Sequence, residues 1–115
     1  MAEIRTKDGS LYVYTHSYGM VFDEMAEEAI AAAAPRWNDQ DYAARIIVDQ
    51  ITKPGRDSEV GFGLMLEPNA EDEYHGGATG DRPSIIINLV ARTLTVYNDH
   101  VHLDEPVGKT FAEIA

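Results

Sequence analysis

The residues of this chain that can do chemistry are few and well separated. His100 and His102 lie two apart in Asp99-His100-Val101-His102-Leu103-Asp104-Glu105, so an extended segment turns both imidazoles to one side with carboxylates beside them. That is a donor set for zinc or another divalent ion. Two histidines in a polar tail also arise without any such role, and the expectation is no metal site and no cofactor. His16 follows Tyr14 and precedes Tyr18, a grouping that suits either proton transfer or a structural histidine. Arg36 and Trp37 can stack on a base or ring if they are exposed. Alternatively Trp37 plugs an interface and the stem of Arg36 covers it. Together His16, Arg36 and Trp37 make the candidate ligand pocket. Gly76-Gly77-Ala78-Thr79-Gly80-Asp81 is glycine-rich, but it follows an acidic run and lacks the lysine of a phosphate-binding loop. No catalytic residue emerges, and the balance favours a protein that is not an enzyme.

Charge carries more information than any of these groups. Twenty Asp and Glu against nine Lys and Arg leave a formal net charge of -11. Such a surface repels nucleic acid and anionic membranes and is drawn to basic grooves. Two clusters exceed what solubility demands: Asp23, Glu24, Glu27 and Glu28 in one segment, and Glu67, Glu71, Asp72, Glu73 and Asp81 in another. Carboxylates spaced along one surface can imitate the phosphate track that a basic groove binds. Glu24, Glu27, Glu28, Glu71, Asp72, Glu73 and Asp81 are therefore the candidate partner-binding residues. No direct binding to DNA or RNA is expected, because no basic stripe is present.

The elements that must position these residues follow from periodicity. Ser10 to His16 alternates, with Leu11, Val13 and Thr15 opposite Tyr12, Tyr14 and His16, which predicts a strand. From Val21 the period becomes helical: Val21, Phe22, Met25, Ala26, Ala29, Ile30 and Ala33 share a face and the acids fall opposite, up to Pro35. Asn38 or Asp39 offers an N-cap for a second helix with Tyr42, Ala43, Ile46, Ile47 and Ile51 on its apolar side. Arg45 and Asp49 make an i, i+4 pair there, and Pro54-Gly55 ends the helix. Val60 to Leu66 predicts a short strand in which Gly61 and Gly63 mark a bulge or a close backbone approach. Ser84 to Asn98 divides into two strands around Val90 to Arg92.

Between these strands runs a long acidic loop, residues 67–83, and a polar tail occupies residues 99–115 with one last helical turn at Lys109 to Ile114. The order β-α-α-β-β-β predicts an α+β two-layer sandwich, with two helices packed on a mainly antiparallel sheet, in a single domain spanning 1–115. Cysteine is absent, so neither disulfides nor thiolate metal sites arise. No apolar run approaches the roughly 18 residues of a membrane span, and residues 1–9 lack the order of a secretory signal. A cytoplasmic protein is expected.

Tyr14-Thr15-His16 with Gly19, Arg36-Trp37-Asn38-Asp39, Ala44-Arg45-Ile46-Ile47 and Gly61-Phe62-Gly63, followed by the hairpin Ile85 to Val96, resemble a family of small phage, prophage and mobile-element proteins, mainly actinobacterial. The resemblance covers about residues 11–98, and the acidic loop looks expanded relative to that family. It brings no catalytic residue with it. What it implies is context, since small accessory proteins of phages often inhibit or decoy host machinery. The expectation is an acidic, non-enzymatic interaction protein of anti-defence or anti-CRISPR type, occupying a basic site on a host protein or nucleoprotein complex in the host cytoplasm. Two alternatives stay open: a small enzyme or ligand sequesterer built on the His16, Arg36, Trp37 pocket, and a structural phage accessory protein. Monomer and homodimer are both compatible with the sequence.

Overall fold

The computed structural model describes residues 1–15, 22–55, 61–66, 84–97 and 107–115. The fold is α+β, as the sequence predicts, with helices set against a six-stranded sheet of order β3-β2-β1-β4-β5-β6. The strands are β1 (Ala2–Thr6), β2 (Gly9–Tyr14), β3 (Gly63–Met65), β4 (Ile85–Asn88), β5 (Thr93–Val96) and β6 (Val107–Thr110). The helices are α1 (Phe22–Ala32), α2 (Gln40–Thr52) and the single turn α3 (Phe111–Ile114). Every neighbouring pair is antiparallel except β1 and β4, which run parallel.

Two strands and a pairing depart from the sequence reading. β1 is an additional central strand, formed because Ala2 and Ile4 turn to the helices while Glu3 and Arg5 turn away. A two-residue turn at Lys7 and Asp8 returns the chain into β2, with Gly9 at φ 138° supplying a conformation that a side chain disfavours. β6 lies within the tail and overlaps, at Lys109 and Thr110, the helical turn expected there. The helix itself begins at Phe111 and is capped by Thr110, whose hydroxyl accepts from the Glu113 N–H at 3.3 Å. The parallel register places Ile4 beside Ile87, and the β4–β5 register places Ile87 beside Leu94.

The core lies between this sheet and the two longer helices. Phe22, Ala26, Ala29 and Ile30 of α1 meet Ala43, Ile47 and Ile51 of α2, over Ile4, Val13, Ile85, Ile87 and Leu94 of the sheet. The small residues of α1 let the two helices approach closely, and α1 ends at Ala32 ahead of a 3₁₀ turn over Ala34–Arg36 that holds Pro35. α2 starts after Asp39, which takes the N-cap position without a side-chain capping bond. One member of its expected apolar face is misplaced: Tyr42 is 53% exposed and lies outside the core. A tyrosine at the first turn can lie sideways, and here Arg36 stacks over its ring at 5.0 Å from the centroid.

At the other margin, a Cβ added to Gly61 would stand 2.9 Å from the Gly55 carbonyl oxygen and 3.0 Å from its Cα. This is the close backbone approach that the sequence suggested. A side chain at Gly63 would run into the ring of Tyr14 on the paired strand. The turn between β4 and β5 is built by Asn88, whose Oδ1 accepts from the N–H groups of Val90 and Ala91, and by Arg92 at φ 58°. No helix among the described residues is long and apolar enough to cross a membrane.

Candidate functional surfaces

Among the described residues, two surfaces bear on the candidate groups. The first is the outer arc of α1. Burial of Phe22, Ala26, Ala29 and Ile30 fixes the rotation of the helix, so Glu24 and Glu28 are exposed one turn apart, with Asp23 and Glu27 half-buried on one flank. Glu27 accepts from Lys109 Nζ at 3.1 Å, which ties this flank of α1 to β6. Glu24 and Glu28 are separated by about 6 Å of helix rise, from four residues at ~1.5 Å each.

The second surface is the face of the sheet turned away from the helices. The register aligns Met65, Tyr12, Glu3, Ile86 and Thr95 in one row across five strands, and Ser10, Arg5, Asn88 and Thr93 in the next. Glu3 is 6% exposed at its centre. Its carboxylate accepts from Arg5 Nε at 2.9 Å, Arg5 Nη2 at 3.1 Å and Ser10 Oγ at 2.6 Å. Burial alone would raise the pKa of this acid. The hydrogen bonds from Arg5 and Ser10, with the charge of Arg5, outweigh it and hold Glu3 below its ordinary value. Arg5 is raised in turn by its hydrogen bonds to Glu3. This cluster was not legible as a site, because Glu3, Arg5 and Ser10 become neighbours only through a hairpin that the sequence reading did not place.

Trp37 belongs to the packing rather than to a stacking site. Its indole Nε1 donates to the Ile30 carbonyl at 2.9 Å, and its ring lies 5.1 Å from that of Phe111 at 48°. The aromatic pair locks the C-terminal helix to the α1–α2 junction. Arg36 is exposed and faces Tyr42, so the structure separates the tasks of two residues that are adjacent in the chain. His16, the third member of the candidate pocket, lies outside the described residues, as do His100, His102, Glu71, Asp72, Glu73 and Asp81. Among the described residues no group of three or more His, Cys, Asp or Glu is placed to hold a metal ion. Of the candidate partner-binding residues, Glu24, Glu27 and Glu28 are those the structure brings together.

No family model matches the chain, and no curated protein or solved structure matches it.

Proposed function

We propose that this protein is an acidic binding protein that occupies a basic site on another protein. The observation that carries the reading is the exposed pair Glu24 and Glu28 on a fixed helix arc, in a chain with a net charge of -11. The helix backbone beneath these carboxylates is already ordered, so binding there costs side-chain entropy and not backbone entropy. Charge would speed the encounter and select the partner, while affinity would come from apolar and aromatic contacts around it. A groove that handles nucleic acid presents the required positive field. With the motif resemblance to phage and mobile-element proteins, the setting this suggests is occupancy of a host nucleic-acid-handling or defence complex.

The test is competition. A panel of basic, DNA-binding proteins carrying a labelled duplex is titrated with the parent protein and with the Glu24→Gln, Glu28→Gln double variant. The parent should displace DNA from at least one member, and the variant should associate more slowly and with a flatter salt dependence. Direct saturable binding of the parent to the duplex, or equal displacement by parent and variant, would overturn the reading.

A further inference from the structure

Among the described residues β3 and β6 are the edge strands of the sheet, and the pairing pattern shows which backbone groups β6 turns outward. Tyr97 N–H donates to the Ser84 carbonyl at 2.8 Å, so in β5 it is Thr93, Thr95 and Tyr97 whose backbone groups turn to β4. Arg92, Leu94 and Val96 then turn to β6, in agreement with the Phe111 N–H donating to the Arg92 carbonyl at 2.9 Å. By the same alternation Val107 and Lys109 bond to β5. Gly108 therefore directs both its N–H and its C=O outward, and Thr110 its N–H. All four residues of β6 are exposed, Val107 at 59%, and among the described residues no strand pairs with this edge. Gly108 adds no side chain to obstruct it: the nearest atom to a Cβ built there is the Leu94 carbonyl oxygen at 3.9 Å.

We infer that β6 is a docking edge for an extended, basic segment of a partner protein, which adds a seventh strand to the sheet. Backbone bonds to Gly108 and Thr110 would supply the pairing, and side chains the choice of partner. An added strand directs alternate residues to the two faces of the sheet. Those on the helix side come up against the flank of α1, where Asp23 precedes Glu27 by one turn, and against α3, which packs on α1 and carries the exposed Glu113. The nearest ammonium on that side, Lys109, is already held by Glu27. Lysine or arginine at alternate positions of the incoming strand would complement this flank. Residues on the opposite face would meet Gly108 and Thr110, which carry no charge. A second copy of this chain is the weaker occupant, because edge-to-edge pairing would bring two chains of -11 together.

For the sign of the partner's charge, the inference rests on the proposed function; for its location it rests on the sheet alone. The experiment separates the two. The probe is a capped six-residue peptide alternating Lys and Val, titrated into the ¹⁵N-labelled protein, with peptides alternating Thr and Val or Glu and Val as controls. The expected result is saturable shifts centred on the Gly108 and Thr110 amides with the lysine peptide, at least tenfold weaker binding by Gly108→Pro, and little response to the controls. Gly108→Pro removes an outward N–H and no bond to β5, and a lysine peptide N-methylated at alternate residues, which cannot pair with the edge, titrated into the parent protein serves as a second measurement if the variant disturbs folding. Shifts confined to α1, or none, would overturn the edge as a docking site. Equal binding of the Thr peptide would overturn the basic partner, and a dimer seen by light scattering without peptide would assign the edge to a second copy.

Discussion

At Glu3 one carboxylate collects three hydrogen bonds within an almost fully covered setting, and this makes it the residue whose protonation the fold should feel. Its folded-state pKa lies below the ordinary glutamate value. The pair therefore contributes stability that is complete above the ordinary glutamate range and is lost as pH falls through the lowered folded value. The size is set by Arg5, whose side chain remains 46% exposed. Solvent screening there reduces the contribution to about 1 kcal/mol, below the ~1.5–3 of buried charged hydrogen bonds. Glu3→Gln should accordingly lower stability by about that amount at pH 7 and flatten the acid limb of the stability profile, measured by urea unfolding between pH 3 and 7. A variant as acid-sensitive as the parent would show that other carboxylates govern the limb. Legibility at this scale was uneven for a physical reason. The core residues Ile30, Ile47 and Ile87 announce themselves by period, whereas Glu3 acquires its role from Ser10 across a turn, and Tyr42 left the apolar face because Arg36 offered its ring a partner.

Among the elements, the helices were the most readable because each carries several periods of evidently apolar residues between a start and a stop signal. α1 and α2 fall where Pro35, Asp39 and Pro54 punctuate the chain. The β4–β5 hairpin was readable from its β-branched runs, even though Asn88 and Arg92 build its turn instead of Gly or Pro. β1 escaped because it has only five residues, two of them charged, and owes its central position to pairing on both sides with β2 and β4. β6 escaped because Val107-Gly108-Lys109-Thr110 has no apolar alternation, its exposure on both faces removing the need for one. β3 is the element with the narrowest tolerance. Its Gly63 is paired with Tyr14, and the tyrosine ring fills the space that a side chain would need. Gly63→Val should therefore lower stability by about 1–3 kcal/mol, although valine suits strands better than glycine. Thermal melts decide it: a valine variant melting at or above the parent would mean that Tyr14 can swing aside at little cost.

For the whole molecule the governing quantity is the charge, which acts on the fold as well as on partners. At -11 over 115 residues, like charges repel across the surface of the native state and the compact chain holds them closer than the unfolded one does. Ion pairs offset little of this. Two of them, Arg5 with Glu3 and Lys109 with Glu27, are partly exposed and each is worth at most about 1 kcal/mol. Salt weakens both kinds of interaction, since the Debye length shrinks from ~30 Å at 0.01 M to ~10 Å at 0.1 M. The repulsions are many and long-ranged while the attractions are few and short, so screening should remove more of the former. Raising sodium chloride from about 0.01 to about 0.3 M should therefore raise the melting temperature, and a net gain of about 1 kcal/mol would appear as roughly 4 °C for a domain of this size. Potassium fluoride at equal ionic strength should act alike, which separates screening from specific ion binding. The Glu24→Gln, Glu28→Gln variant should melt higher than the parent at low salt and converge with it at high salt, because the carboxylates proposed to meet a partner are the same ones that repel within the free protein. A melting temperature that falls with salt would mean that ion pairs, not repulsion, dominate the surface, and would remove the electrostatic reason for expecting this protein to seek a basic partner.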